Sequence, residues 1–264
     1  MLEGMDAYGD DVFIKRPNEP GAALAEAAGL RWLREAAPAA VVEVCEASEE
    51  AIVTARVEQV RPTPEAAYEA GRQMAFMHRG GADAHGAPPA PSGKRFEGQN
   101  FIGTQPQDCI PRETWREFYP AQRVLPFAEM ARERGNLSEQ DYHDVRAACA
   151  SIESADYHPP VARIHGDLWA GNLLFAQEGP VFIDPAAHGG AALTDIAMLA
   201  LFGAPFFDHI VRGYRSIAPL EENWQELIPL HQMHPLAVHA ATHGPSYGSE
   251  LAQAARAVLA MWGE

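Results

Sequence analysis

The chain has 264 residues, 47% of them hydrophobic, and its 36 acidic against 20 basic side chains give a formal charge of −16. That length and apolar content suffice for a sizeable core in one large or two small domains, while the acidic balance excludes a nucleic-acid groove, which needs clustered Lys and Arg against phosphate. Cys45, Cys109 and Cys149 lie far apart without a CxxC pair, no apolar run reaches the length of a membrane helix and no charged-then-apolar leader opens the chain. These features exclude a disulfide framework and a cysteine zinc site and lead us to expect a cytoplasmic protein that meets neither membrane nor nucleic acid.

In chain order, residues 1–3 and 5–8 are expected to form a short strand, Gly9-Asp10 a hairpin turn and residues 11–15 the next strand. Lys15 closes the apolar run Val12-Phe13-Ile14 and puts an ammonium at a strand end. Residues 22–35 repeat apolar side chains at helical spacing and carry Glu26. Pro38 ends that helix, and residues 41–45 and 51–57 read as two antiparallel strands joined by an acidic turn at 47–50. The character changes at 57–62, expected to be a hinge. Thr63-Pro64-Glu65 then opens a helix through His78, with Pro in its first turn and an acid near its positive end.

Residues 80–99, rich in Gly, Pro, Ala and Ser, are the longest expected irregular segment, of the kind that is usually functional or mobile in a compact domain. Helices are expected over 112–134 and, opened by a Ser138 cap, over 138–153. Helical spacing returns over 193–201, 206–214, 224–242 and 249–262. No internal repeat or charged linker divides the chain.

Between these helices stands RIHGDLWAGNLLF at 163–175, followed by Ile183-Asp184-Pro185, with residues 173–175 and 181–183 forming the two arms of a hairpin. Taken alone, His-Gly-Asp is a common turn and Asp-Pro after a strand is usually a cap. Together they place two carboxylates and an amide, Asp167, Asn172 and Asp184, in one hairpin context. Phosphoryl transfer from ATP needs this set: one carboxylate to orient and deprotonate the attacking hydroxyl, and a second carboxylate with an amide to hold Mg²⁺ at the phosphates. The five-residue step from Asp167 to Asn172 is that of the protein-kinase catalytic loop. Lys15 and Glu26 then take on meaning. A solvated strand-end charge is the better reading of Lys15 alone, but in kinases a strand lysine meets the α- and β-phosphates and is held by a helix glutamate. The hinge backbone at Glu58 and Val60 becomes the expected adenine edge, through main-chain groups.

Two other patterns carry less. Gly244-Pro-Ser-Tyr-Gly248 satisfies G-x-S-x-G but follows a helical stretch rather than a strand, so a helix–helix turn is expected. His231, His234, His239 and His243 lack the Glu of H-E-x-x-H, so helix packing or a cleft lining is expected rather than zinc.

The string HGDLWAGN resembles the catalytic motif of aminoglycoside phosphotransferase-like kinases, and Trp169 within it resembles the fructosamine kinase (ketosamine 3-kinase) family. NFIGTQPQD at 100–108, Trp115, Phe118, Arg123, DPAAHGG at 184–190, LFG at 201–203 and HQMHPLAVHA at 231–240 are similar to that family's motifs, as are FIK at Lys15 and AEAAGL at Glu26. The resemblance implies a bilobal α+β, protein-kinase-like fold, with a small mixed α/β N-lobe at 1–61 and a mostly helical C-lobe at 62–264. It implies ATP and Mg²⁺ as cofactors, and phosphorylation of a sugar hydroxyl, O3 of a fructosamine or ribulosamine, free or on a glycated protein lysine; we expect a monomer. Asp167 is the implied base, Asn172 and Asp184 the metal ligands, Lys15 and Glu26 the phosphate pair. Trp169, His165 and His234 are the substrate-side candidates, Trp169 as a platform for a sugar or, more blandly, a packing residue. A kinase for an aminoglycoside, choline or sugar alcohol, and a non-catalytic nucleotide-binding relative, stay open beside this reading.

The chain also departs from that family. Where the family continues with His, Arg and Glu after the DPA stretch, this chain has Ala191, Ala192 and Leu193, positions expected to face or brace the cleft, and the Arg of a W-x-x-R pattern is Leu227. Only about a dozen residues precede Lys15, so the phosphate-covering turn of related kinases is expected to be missing or shortened, with a clipped start favoured over a true loss.

Overall fold

The computed structural model describes residues 11–262. The expected strand at 1–8 and the turn at Gly9-Asp10 lie outside them.

The sequence order is β1 (Val12–Lys15), α1 (Ala22–Ala36), β2 (Val44–Ala47), β3 (Ile52–Ala55) and α2 (Pro64–Arg79). The sheet order is β1-β3-β2, antiparallel throughout, with Lys15 opposite Ile52. Alternation in β1 buries Val12 and leaves Phe13 exposed, as a sheet with one covered face requires. The strand expected at 41–45 begins three residues later, at Val44. Its first part is claimed elsewhere: Val42 N–H donates to the Phe182 carbonyl at 3.1 Å and Phe182 N–H to that of Ala40 at 2.6 Å. Residues 40–42 thus bind the second hairpin, and a tertiary partner overrides local pattern.

Then come β4 (Asn100–Ile102) and β5 (Gln105–Gln107), a small hairpin, followed by α3 (Trp115–Tyr119), a π-helical turn (Pro120–Val124) and α4 (Leu125–Glu133). The single helix expected at 112–134 therefore starts later and is interrupted. Thr114 and Glu117 form a reciprocal capping box that sets the start, and Pro120, lacking an N–H, removes a helical hydrogen bond where the turn widens. Ser138 caps α5 (Glu139–Ser154) as expected.

The remaining elements are β6 (Val161–Ile164), β7 (Leu173–Ala176), β8 (Gly179–Phe182), β9 (His188–Ala191), α6 (Leu193–Leu201), α7 (Phe207–Arg215), α8 (Ile228–His243) and α9 (Pro245–Trp262). β7 and β8 are the expected hairpin, and β6 pairs antiparallel with β9, a ladder that periodicity did not reveal. Its glycines answer to close approach: a Cβ on Gly189 would lie 2.1 Å from the Ala84 carbonyl oxygen, and one on Gly190 2.5 Å from Ile164 Cδ1. Helices α4, α5, α6, α8 and α9 pack around Leu230, Met233, Leu251, Ala255 and Val258, all fully buried. The architecture is α+β and bilobal, with the antiparallel sheet and α1 on one side of a cleft and the helical body on the other. No helix among the described residues is long and apolar enough to cross a membrane.

Candidate active site

The loop from β6 to β7 carries Asp167. It turns at Gly166, whose φ of +80° and whose position, with a Cβ that would lie 2.3 Å from the Ala186 carbonyl, leave room only for glycine. The turn is held from behind by fully buried Asp195 on α6. Its Oδ2 accepts His165 N–H at 2.8 Å and its Oδ1 accepts Gly166 N–H at 2.9 Å, while His78 Nε2 lies 3.0 Å from Oδ2 and Tyr214 Oη 3.0 Å from His78 Nδ1. Burial pushes the Asp195 carboxyl up, but His78, His165 and the Gly166 N–H outweigh it and hold it below the ordinary range.

Asp167 faces the cleft. Burial first, then the Asp184 and Asp195 carboxylates, push its pKa up to about 7 against the opposing pull of Lys15 and Asn172. A carboxylate so placed suits a base working near neutrality. Asn172 Nδ2 donates to the Asp167 carbonyl at 2.8 Å and to the Asp184 carbonyl at 3.3 Å, and reaches Asp167 Oδ2 at 3.4 Å. Its nitrogen is thereby spent on the loop, and the residue lines the cleft. Asp184 follows β8 in left-handed backbone, φ +52°, a conformation that costs about 1 kcal/mol or more and clusters at functional sites.

Lys15 bridges the two halves. Its Nζ lies 2.8 Å from Glu26 Oε2 and 3.1 Å from Asp184 Oδ2. Burial opposes the ammonium, yet Glu26 and Asp184 together hold its pKa above the ordinary value. The structure therefore brings together Lys15, Glu26, Asp167, Asn172 and Asp184, all lining one cavity of about 230 Å³.

Two further cavities share lining residues with it. One, of about 370 Å³, runs from Lys15 and Asp184 under the sheet, walled by Phe13, Val42, Ile52, Val57, Leu174 and Ile183. Of the hinge residues, Val57 and Gln59 line it, and Val60 N–H is engaged by the Phe175 carbonyl at 2.7 Å. The other, of about 580 Å³, lies on the far side of Asp167, between Trp169, Phe202, His239, His243 and Tyr247. Trp169 is 44% exposed and its indole lies over Gly171, where a Cβ would come within 2.2 Å of the ring.

Three expectations need correction. His165 has no exposed surface; its Nε2–H donates to the Ile183 carbonyl at 2.8 Å and its Nδ1 accepts Asp167 N–H at 3.3 Å, so it braces the loop and touches no acceptor. His234 is buried against Phe127, with its Nε2 unpartnered among the described residues, and lines none of the three cavities. Ala191, Ala192 and Leu193 do not face the cleft: Ala191 is buried opposite Val161 in the β6–β9 ladder, and the other two line a separate apolar cavity with Tyr214 and Trp224. The side chains that sequence reasoning left unassigned are Phe202 and Tyr247; His239 and His243, expected to pack in a helix or line a cleft, line this third cavity. The i, i+4 histidine pair on α8 was their one signal, and Tyr247 was hidden in the discounted G-x-S-x-G string.

A sequence profile of the fructosamine kinase family matches residues 5–261. The chain belongs to the fructosamine kinase family. A "putative fructosamine-3-kinase" from Thermobifida fusca, known from its crystal structure, is 42% identical and superposes with a TM-score of 0.87, over 94% of this chain and 85% of that one. A "probable ketoamine kinase" of Enterococcus faecium is 36% identical over 163 residues, 60% of this chain and 58% of that protein. One from Thermus thermophilus is 30% identical over 232 residues, 86% of this chain and 79% of its own length. The chain spans 58% and 60% of the lengths of the Enterococcus and Synechocystis relatives it matches. A spectinomycin phosphotransferase bound to AMP shares the fold at 10% identity, with a TM-score of 0.59 over 97% of this chain and 85% of that one.

Proposed function

We propose that the chain transfers the γ-phosphoryl group of Mg·ATP to a sugar hydroxyl of a ketosamine, O3 of a fructosamine or ribulosamine, either free or on a glycated protein lysine. One observation carries the reading: Asp167 and Trp169 line two cavities at once, one shared with Lys15, Glu26, Asn172 and Asp184, the other with Phe202, His239, His243 and Tyr247. A base at such a junction stands between a phosphate donor and an acceptor. Family membership and the ketoamine kinase relatives support the acceptor class. We also propose that the lobes divide at residues 61/62.

In this reading Lys15, held by Glu26, meets the α- and β-phosphates, and the cavity under the sheet takes the base and ribose, with the hinge at Val57 and Gln59 lining it and the Glu58 main chain and Val60 carbonyl left for the adenine edge, the Val60 N–H being held by the Phe175 carbonyl. The hard-oxygen pair of Asp184 carboxylate and Asn172 amide suits Mg²⁺, which favours oxygen donors completed by phosphate and water. Bound there, Mg²⁺ supplies neutralisation of charge on the phosphates. Asp167 accepts the proton of the acceptor hydroxyl as its oxygen bonds to the γ-phosphorus, and the bond from that phosphorus to the β-bridging oxygen breaks to release ADP. His239 Nδ1 lies 2.8 Å from the Pro235 carbonyl, which fixes the proton on Nδ1 and leaves Nε2 as an acceptor for a sugar hydroxyl. Trp169 and Tyr247 offer ring faces to the sugar and to a protonated amine.

Turnover of Mg·ATP on a panel of fructosyl-lysine, ribosyl-lysine, an aminoglycoside and choline tests this reading, with phosphorus NMR locating the ester. Phosphorylation of the ketosamines at O3 is expected. Preference for choline or the aminoglycoside, or no turnover on any of the four, would refute it.

A further inference from the structure

In protein kinases the helix that carries the glutamate partner of the phosphate lysine is a moving part. Here α1, which carries Glu26, is fastened to the C-terminal half, and one side chain, Arg163, reaches it with three kinds of contact. Arg163 stands on β6, opposite Gly189, four residues before Asp167. Strand alternation buries Ala162 and Ile164 inward and turns Arg163 outward, beneath the C-terminal ends of α1 and α2.

Its side chain is only 12% exposed, and its guanidinium is filled from both helices. Nη1 donates to the Trp32 carbonyl in the last turn of α1 and lies 3.3 Å from Glu35 Oε2. Nη2 donates to the Gly80 carbonyl at 3.2 Å and Nε to that of Gly81 at 3.2 Å, the groups that end α2. The Trp32 ring covers the guanidinium, with Cζ 4.4 Å from its centroid. A planar fork with donors in several directions can join two helix ends at once, and the negative ends of both helices favour the cation.

The same helix touches the segment after Asp184 at its midpoint: a Cβ on Gly29 would lie 3.2 Å from Ala187 Cβ and 3.3 Å from Pro185 Cγ. Glu35 Oε1 also accepts Ser92 N–H at 2.6 Å, which ties the end of α1 to the long 80–99 loop. Glu26 is thus placed by contacts to β6 and to the Asp184 segment, the two pieces of chain that carry Asp167 and Asp184.

We propose that Arg163 is a positioning residue: by clamping the end of α1 to the strand that leads into the catalytic loop, it sets where Glu26 holds Lys15 relative to Asp167 and Asp184. The proposal rests on the kinase reading above. The clamp ties α1, which also packs on β2 and β3, to the C-terminal half.

A double-mutant cycle on the full chain tests it, with Mg·ATP affinity read by calorimetry and unfolding followed separately. Arg163→Ala is expected to weaken Mg·ATP binding about tenfold or more, and Arg163→Lys, which keeps the charge but loses the fork, at least about threefold. In a Glu26→Gln background, Arg163→Ala should weaken binding no further, while its cost in unfolding stability should persist in both backgrounds. The lysine variant keeps the test decisive should the alanine variant fail to fold. Unchanged affinity in Arg163→Lys and Arg163→Ala, or losses that multiply with Glu26→Gln, would overturn the clamp while leaving the kinase reading intact. No Mg·ATP binding by the wild-type chain would overturn both.

Discussion

The Asp195 carboxylate accepts the backbone N–H of Gly166 at 2.9 Å, immediately before Asp167. A buried carboxylate thus fixes the peptide that aims the proposed base. Asp195→Asn would turn an amide hydrogen toward a donor and leave a buried group unsatisfied, at a cost of about 1–3 kcal/mol. We expect a lower melting temperature and a kcat at least about tenfold lower, with Mg·ATP affinity nearly unchanged. Loss of nucleotide affinity equal to the loss of kcat would show that Asp195 does not act through the loop.

Asp184→Asn tests the metal assignment without disturbing the backbone, because Asn tolerates the left-handed conformation that Asp184 adopts at φ +52°. With Mg²⁺ present, ATP affinity should fall about tenfold or more, about 1.4 kcal/mol. In EDTA it should not fall, since the removed charge faces phosphate. Equal shifts in the two conditions would remove Asp184 from the metal site.

Gly171 makes room for the Trp169 indole, with a Cβ there reaching 2.2 Å from the ring. Gly171→Ala should therefore displace the platform and raise the ketosamine KM about as much as Trp169→Ala does, by about tenfold for a lost stacking face. The two changes together should cost no more than either alone. Additive effects would separate the glycine from the indole.

Acid should unfold the protein through its buried histidines. Burial lowers His231 to about 3, with Tyr157 Oη 3.0 Å from its Nε2 and Thr194 Oγ1 2.9 Å from its Nδ1. Because the folded value lies below the unfolded one near 6.5, the stabilisation is complete above about pH 6.5. It is lost as pH falls toward about 3, at about 1.4 kcal/mol per pH unit for each such histidine. Burial shifts His85 in the same direction, to about 4. Urea midpoints should decline over that window, and His231→Gln should flatten the slope by about one proton. A midpoint independent of pH between 4 and 6.5 would contradict the assignment.

The parts of the fold legible in the sequence were those with a local cause. Periodicity marked α1, α2 and α5, and the hairpin of β7 and β8 followed from its two apolar runs. The ladder between β6 and β9 stayed hidden because Gly189 and Gly190 read as loop, whereas the contacts that require glycine come from Ala84 and Ile164, remote in sequence. The same holds within the site. Lys15, Glu26, Asp167, Asn172 and Asp184 stood out by residue type and order, and the structure gathers them. His165 looked like a contact residue but is consumed by the Ile183 carbonyl and the Asp167 amide. The cavity proposed for the acceptor draws Trp169, Phe202, His239 and Tyr247 from four separate segments, a convergence that no local pattern in the sequence shows.

The most direct test of the account is the rate of ketosamine phosphorylation by Asp167→Asn, measured beside its Mg·ATP affinity. The substitution keeps shape and removes the base, so turnover on fructosyl-lysine should fall about 10²–10⁴-fold while Mg·ATP binding stays within about threefold of wild type. A wild-type rate in Asp167→Asn would contradict the proposed chemistry at its centre.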